Sequence, residues 1–391
     1  MINHLFTNIN SDWDSSFLRH CLNRLYTRLN IAVIHGGNSS KEGSVIYKTH
    51  NPRSTKTYEP VAQDIANALM SIGFHHVFVM ADDMTLPQKL KEEHIHIAWL
   101  NTGGVQGYNP ICHTPALLEM LGIPYVGHNP LNSSKLDQKH LFKLELQSLG
   151  IKTAPFITWH PAQGIFNPHL DEHFARNFQE YRGPFIVKPV SGRASLNIHY
   201  VETIDGLSAA VENICKVTHD TALIETYFSG REFCVSVCGH ITYANNTFYR
   251  QSKPFAFSIF ERLLEPGEYI FTSMDKKAIT TERIRLLNDK EQELKQNLIA
   301  IAQRIYQNFH LNTLIRIDLR TDENGILHVL EANPKPDLKK PTNTVTSLVI
   351  EGLSEYGMTY EDIILSLFSD RLEYLLTHHR TIIKHIDELI D

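Results

Sequence analysis

The stretch Asn312 to Pro341 reads NTLIRIDLRTDENGILHVLEANPKPDLKKP. Two apolar runs flank Asp322-Glu323-Asn324-Gly325, a tetrapeptide that signals a tight β-hairpin. Arg316 and Asp318 are two apart in the first run, so they share one face of a strand. Glu331 and Asn333, also two apart, end the second run. Closing the hairpin brings Asp318, Glu331 and Asn333 together, with Arg316 beside them. Two carboxylates, an amide oxygen and a guanidinium suit a hard divalent cation that holds phosphate oxygens. The same residues would equally make a buried salt-bridge cluster, because acidic side chains are rarely buried without a partner.

Around this hairpin lies a chain of 391 residues, long enough for two or three packed subdomains. Hydrophobic residues make up 42% and charged residues 20%, which fits a globular protein with a real core. A net charge of −6 argues against nucleic acid as a partner, since binding a phosphate backbone needs a basic surface. No apolar run reaches the roughly 20 residues that cross a bilayer. The opening MINHLFTNINSDWD lacks the basic region and apolar core of a secretory signal. The five cysteines show no framework spacing, and Cys234 and Cys238 read as buried thiols in a strand, so a cytoplasmic location is expected. Of the 22 histidines, the pairs His75-His76, His94/His96 and His378-His379 have no third ligand at metal-binding spacing.

The N-terminal half alternates strand and helix patterns. Residues 12–29 read as a short amphipathic helix with Leu18, Leu22 and Leu25 on one side. Leu29–Gly37 is an apolar strand breaking into a loop at Gly36-Gly37, Tyr58–Ile72 a helix, His75–Met80 a strand, Leu86–Glu93 a helix and His96–Leu100 a strand. Thr114–Gly122 reads as a helix capped by Thr114, and Ile123–Pro130 as a strand running into a loop. These are βαβ units, and they predict an α/β fold that opens with a parallel sheet. Ligands of such sheets sit at the carboxyl ends of the strands, where the loops at Gly36-Gly37 and Gly103-Gly104 would lie. Further on, Lys135–Gly150 reads as one helix, with Leu136, Leu141, Leu144 and Leu149 apolar and Gly150 at its end. Tyr243–Ser273 is irregular and rich in aromatics. Lys290–Phe309 is an amphipathic helix that would pack under the hairpin. Tyr360–Phe368 and Asp370–Ile390 read as closing helices.

Several of these segments resemble the ATP-grasp superfamily in its D-alanine–D-alanine ligase branch. Arg316-Ile317-Asp318 and Leu330-Glu331-Ala332-Asn333-Pro334-Lys335-Pro336 are similar to that family's R-x-D and L-E-x-N-x-x-P-G, with Asp337 in place of the glycine. PALLEMLGIPYVG, Gly183–Pro189 (GPFIVKP) and Leu223–Phe233 (LIETYFSGREF) resemble three further family segments. The resemblance spans residues 30–370. It implies an N-terminal helical extension (1–29), an N-terminal α/β domain (30–130), an ATP-grasp central subdomain (131–225) and a C-terminal catalytic subdomain (226–391). It also assigns roles. Lys139 and Lys188 would bind ATP phosphates, and Gly192 and Ser195 would remain from the phosphate-covering loop, with Arg193 as a further phosphate contact. Glu225, Thr226 and Phe228 would form the adenine hinge, and Glu232 would bind the ribose hydroxyls. Asp318, Glu331 and Asn333 would hold one or two Mg²⁺ ions, or Mn²⁺. Arg316 would act in catalysis by stabilising an oxyanion, and Lys188 by adding positive charge along the phosphates. Lys253, Lys276, Lys277 or Arg262 would stand where the family's lid lysine meets the γ-phosphate. Ser347-Leu348 would correspond to the pair that holds a substrate carboxylate, and Lys339 and Lys340 would read a second acidic group.

The resemblance also implies a reaction: ATP-dependent joining of a carboxylate to an amine, with amino acids or peptides as substrates and a homodimer formed through the N-terminal domain. Two family positions are rewritten. Where the family places a glutamate in the first Gly-Gly loop, this chain has Lys41 followed by Glu42. Where it places a histidine and acids in the second, this chain has Asn101-Thr102-Gly103-Gly104-Val105-Gln106-Gly107. A substrate other than two D-alanines is therefore expected. The alternatives are a D-alanine–D-alanine ligase with an altered pocket and an ATP-binding regulatory protein without turnover.

Overall fold

β1 (Asn30–Gly36), β2 (His76–Asp82), β3 (Ile97–Asn101) and β4 (Tyr125–Val126) form a parallel sheet in the order β2-β1-β3-β4. The computed structural model describes residues 10, 12–36, 58–192, 195–272, 277–342 and 345–391. Helices α1 (Ser16–Leu25), α2 (Glu59–Ile72), α3 (Leu86–Glu92) and α4 (His113–Leu121) accompany this sheet. Period-two alternation in β1 accounts for the packing. Ile31 and Val33 join a core with Ala62, Ile65 and Leu69 of α2, while Ala32 and Ile34 face Leu86, Leu90 and Leu118 on the other side. The expected βαβ arrangement is thus present. Thr114 is not a cap: Cys112 precedes α4, and the Thr114 hydroxyl donates to the buried carboxylate of Asp82 at 2.6 Å. Of the strand expected over 123–130, only Tyr125–Val126 pairs.

The single helix expected over 135–150 is two, α5 (Pro130–Asp137) and α6 (Lys139–Ser148). The break at Gln138 has a local cause. The Lys139 amide donates to Val190 O at 2.9 Å rather than to the preceding turn, and Gln138 is extended at φ −87°, ψ 97°. The break rotates the helical phase, so Lys139, Phe142, Lys143 and Leu146 are buried while Leu141 and Leu144 are exposed. A second sheet follows in the order β5-β8-β6-β7, from β5 (Phe156–Trp159), β6 (Phe185–Pro189), β7 (His199–Val201) and β8 (Ala222–Thr226). It is antiparallel and backed by α7 (Glu172–Phe178) and α8 (Leu207–Thr218), which share its aromatic core.

The third sheet carries the hairpin of Asn312–Pro341. Its strands are β9 (Glu232–Cys238), β12 (Phe255–Arg262), β13 (Ile284–Leu286), β14 (Ile315–Thr321) and β15 (Leu327–Asn333), in the order β13-β12-β9-β14-β15; β10 (Ile241–Ala244) and β11 (Thr247–Arg250) form a separate hairpin. Tyr243–Ser273 is therefore more regular than expected. Much of it is this hairpin and β12, an interior strand buried at every position, whose sequence FAFSIFER does not alternate apolar with polar. On one face, Ile315, Ile317 and Leu319 pack with Leu298, Ala302 and Ile305 of α9 (Gln292–Asn308). The other face looks into a cleft toward the second sheet. The chain closes with α10 (Tyr360–His378), continuous across the expected boundary between two helices, and α11 (Lys384–Ile390). Leu18, Leu22 and Leu25 of α1 share one core with Leu372, Leu375, Ile386 and Ile390.

Candidate active site

The expected hairpin places its charged residues by register. Asp318 lies opposite Glu331 and Arg316 opposite Asn333. A bulge sets this arrangement. Leu319 pairs with Val329, so Leu330 is an extra residue on β15. Val329 faces the α9 core, yet Glu331, two residues on, faces the cleft. A second bulge lies between Phe257 and Phe260 in β12, next to Ser258 at φ +50°. It brings Arg262 onto the same face as Glu232 and turns Glu261 away toward Arg231 and Arg285.

These residues line a cleft of about 970 Å³, partly open to solvent. Its walls include Lys139, Lys188 and Ser195 from the central part and Arg262, Arg316, Asp318, Glu331 and Asn333 from the third sheet. The expected residues are therefore together. A connected cavity of about 570 Å³ is lined by Lys188, Glu225, Thr226, Phe228, Glu232 and Leu330, among others. From the start of α2 the larger cleft takes Tyr58, whose ring lies 3.5 Å beneath Lys335 Nζ. The loop Asn101–Gly107 is not in either wall. Thr102 is turned onto Asp82 at 2.6 Å, and Asn101 onto Tyr58 O at 3.1 Å.

The cations divide into two groups. On the central side, Glu225 is buried between Lys188 at 2.5 Å and Lys143 at 2.9 Å. Burial would raise the Glu225 carboxyl, but the two ammonium groups bring it down to about 2. Burial pulls Lys143 down, whereas Glu225 and Glu331 hold Lys188 up against its own burial. Lys143 also donates to Thr153 Oγ1 at 2.7 Å. The expected site does not include it, because a lysine in a helix reads as a solvated one. Its signal is the spacing i, i+3, i+4, i+7 with Lys139, Phe142 and Leu146, which becomes visible once the break at Gln138 is known. Lys139 Nζ reaches Gly192 O at 3.0 Å and Glu331 at 3.7 Å, spanning the cleft.

On the third sheet, Asp318 accepts from Arg316 Nε at 2.9 Å, Arg316 Nη2 at 3.1 Å and Arg262 Nη2 at 2.9 Å. Burial would raise this carboxyl, and the two guanidinium groups hold it below the usual range. Asn333 Nδ2 donates to Asp318 at 3.3 Å, which leaves its amide oxygen for other partners. Glu232 pairs with Arg262 at 3.0 Å and Arg320 at 3.5 Å. Among the described residues no three His, Cys, Asp or Glu side chains converge. Asp318, Glu331 and Asn333 offer two carboxylates and an amide oxygen, and all-oxygen donors fit a hard cation such as Mg²⁺.

At the hinge the amide of Thr226 is bound by Pro155 O and that of Tyr227 by Pro184 O. The Phe228 amide has no such partner among the described residues, and its ring stacks on His328 at 4.2 Å. Gly230 lies against β14, where a Cβ would stand 2.2 Å from Thr321 Oγ1. Ser195 Oγ donates to Phe271 O at 3.2 Å, joining the loop after β6 to the segment that covers the third sheet. Among the expected lid cations, Arg262 reaches the cleft. Lys253 is exposed, Lys277 pairs with Glu265, and Lys276 lies outside the described residues. Arg193 and the loop bearing Gly37, Lys41 and Glu42 also lie outside them. Ser347 and Leu348 are in the wall, with the Ser347 hydroxyl donating to Asp337 O at 2.6 Å. Lys340 pairs with Glu361 at 3.0 Å instead of entering the cleft. All five cysteines are free thiols, and among the described residues no helix is long and apolar enough to cross a membrane.

The family described as D-ala D-ala ligase C-terminus matches residues 146–369. The chain is 26% identical over 339 residues to the D-alanine–D-alanine ligase of Aquifex aeolicus, covering 86% of this chain and 98% of that protein. It is 27% identical over 351 residues to the D-alanine–D-alanine ligase of Desulforamulus reducens, covering 88% and 99%. The D-alanine–D-alanine ligase from Bacillus anthracis complexed with ATP has a similar structure, with a TM-score of 0.65 at 20% identity over 89% of this chain and 99% of that one. Matched over more than half its length, the chain belongs to the family of D-alanine–D-alanine ligase C-terminal domains and is an ATP-grasp enzyme of the carbon–nitrogen ligase type.

Proposed function

We propose that this ATP-dependent carboxylate–amine ligase joins amino-acid or peptide substrates other than two D-alanines through an acyl phosphate. The observation that carries the chemistry is the register of β14 and β15: Asp318 faces Glu331 across the ladder, and Lys139 and Lys188 face both across the cleft. A nucleotide lies with its base at the hinge, where the Phe228 amide and the Thr226 carbonyl offer one donor and one acceptor. Glu232 takes the ribose hydroxyls. Lys139, Lys188 and the backbone around Gly192 and Ser195 hold the phosphates.

A substrate carboxylate oxygen attacks the γ-phosphorus, the bond to the bridging oxygen breaks, and ADP leaves. An amine then attacks the acyl carbon, the bond to the phosphate oxygen breaks, and phosphate departs while the amine loses its proton. Phosphoryl transfer depends on in-line positioning and charge neutralisation, which these cations supply. Arg316, held in place by Asp318, donates to the oxyanion of the tetrahedral intermediate. Mg²⁺ or Mn²⁺ held by Asp318, Glu331 and Asn333 would screen the phosphate charge.

The substrate reading rests on the sequence of Asn101–Gly107, which lacks the histidine and acids that the resemblance places there though the loop lines neither cavity, and on Lys335 over Tyr58 in the wall. The names of the curated relatives favour a second reading, a D-alanine–D-alanine ligase proper. A homodimer through the N-terminal domain is part of the proposal; Met84, Tyr108 and Met120 are exposed there, and light scattering tests it. The enzyme is taken to work in the cytoplasm, as free thiols fit. The deciding experiment incubates the protein with Mg·ATP and pairs of D- and L-amino acids and dipeptides, reading ADP and condensed products by mass spectrometry. A product that needs an amine or carboxylate other than D-alanine supports the proposal. D-alanyl-D-alanine as the sole product selects the second reading. No ADP with any pair rejects both.

A further inference from the structure

Arg262 ends β12 and lies opposite Glu232 in the ladder. Its guanidinium ties together two carboxylates that the proposed chemistry uses separately. Nη1 donates to Glu232 Oε1 at 3.0 Å and Nη2 to Asp318 Oδ2 at 2.9 Å. The side chain is only 8% exposed, yet it lines both the larger cleft and the hinge cavity. It lies over Phe271, 5.2 Å from the ring centroid, and its Nε is buried with no acceptor among the described residues. It stands on this face through the bulge at Ser258 and Ile259, without which Glu261 would take its place.

We propose that Arg262 competes with divalent cations for Asp318 and gives way when a triphosphate arrives to receive its guanidinium, so that metal and nucleotide bind as a pair. The inference rests on the reading of Asp318 as a cation ligand and Glu232 as a ribose ligand. A metal ion arriving alone must take an oxygen from a buried arginine. That leaves a desolvated cation sharing Glu232 with Arg320, which is unfavourable. A metal ion arriving with ATP brings the anion that the guanidinium needs, and its fork geometry matches phosphate oxygens. Arg316 stays on Asp318 through two hydrogen bonds, so the carboxylate keeps its orientation during the exchange. Coupling of this kind is reciprocal: nucleotide tightens metal by the factor by which metal tightens nucleotide.

The test measures Mn²⁺ binding to the full-length protein by electron paramagnetic resonance, with and without the non-hydrolysable analogue AMP-PNP. The wild type should bind free Mn²⁺ weakly and Mn²⁺ with AMP-PNP at least about tenfold more tightly. Arg262→Met should bind free Mn²⁺ about tenfold more tightly than wild type, bind AMP-PNP more weakly and lose most of the coupling. Unchanged or weaker binding of free Mn²⁺ by folded Arg262→Met overturns the inference. If that variant does not fold, Arg262→Lys decides, because an ammonium on a shorter reach holds one carboxylate: tighter Mn²⁺ supports the inference and unchanged Mn²⁺ overturns it. A wild type that takes no Mn²⁺ even with AMP-PNP rejects the proposed metal site as well. Paired binding by the wild type with no change in the variants rejects this inference alone.

Discussion

Asp318 and Glu331 face each other across the β14–β15 ladder because Leu330 is one residue more than the ladder needs. The bulge turns Val329 into the core and Glu331 into the cleft. Deleting Leu330 would make the two flanking pairs consecutive in a regular ladder, with Val329 still opposite Leu319 and Glu331 still opposite Asp318. Such a variant should keep both environments and retain ADP release. Loss of ADP release with the fold intact would show that the bulge contributes more than the facing of Glu331.

Arg316 lines the cleft, held by two hydrogen bonds to Asp318, and the proposed function sets it beside the reacting atoms. Replacing it with Met removes a preorganised donor. We expect kcat to fall by about 100- to 1,000-fold, with little change in the KM for ATP. Steady-state kinetics on the substrates identified by product analysis check this. A loss confined to KM would move Arg316 from catalysis to binding.

Lys143 is a structural cation. Lys143→Met leaves Glu225 buried with one ammonium partner in place of two. Breaking a buried charge pair typically costs about 3–5 kcal/mol, and urea denaturation should show a loss of that order. Lys188 would then carry Glu225 alone, so phosphate affinity should weaken too. A variant as stable as wild type would show that Lys143 is not the counter-ion the burial implies.

Gly230 leaves no space for a side chain. A Cβ there would meet Thr321 Oγ1 at 2.2 Å and Thr321 O at 2.4 Å, so Gly230→Ala must push the hinge away from β14. We expect a destabilisation of about 1–3 kcal/mol and a raised KM for ATP with kcat nearly unchanged. Calorimetry and initial rates separate the two effects.

His128 sets a pH dependence. Burial lowers its imidazole from 6.5 to about 4. The unfolded chain therefore binds more protons than the native one between these values, so stability is complete above pH 6.5 and is lost as pH falls through 4. The loss from this residue is roughly 3 kcal/mol. Thermal melts from about pH 7.5 to about pH 4 should show it, and His128→Phe should flatten the curve in that window.

Much of the site is legible in the sequence. Asp322–Gly325 marks the turn, and residues two apart share a face, so the pattern alone brings Arg316, Asp318, Glu331 and Asn333 together, as the ladder does. Lys188 at the end of an apolar run and Glu225 before the hinge are legible as positions in motifs. Their mutual contact is not, since the long run of chain between them says nothing of pairing, and Lys143 looks like any solvated helix lysine. The two bulges are illegible for a different reason. An extra residue shifts the period by one without changing composition, so Leu330 and Ser258 carry no local signal. The break at Gln138 has no signature in its own helix because its cause, Val190 O, lies in another element.

The shared core of α1, α10 and α11 bears on how the chain comes into being. Arg24 Nε donates to Ile390 O at 3.1 Å and Arg28 Nη1 to Leu389 O at 3.0 Å, contacts between the two extremes of the chain. During synthesis the first helix leaves the ribosome long before the last, and its row of Leu18, Leu22 and Leu25 stays uncovered meanwhile. Parallel pairing and such distant closure both slow folding. The N-terminal layer of this enzyme is thus the part most exposed to chaperones and to aggregation on a nascent chain, and it is completed only once α10 and α11 have been made.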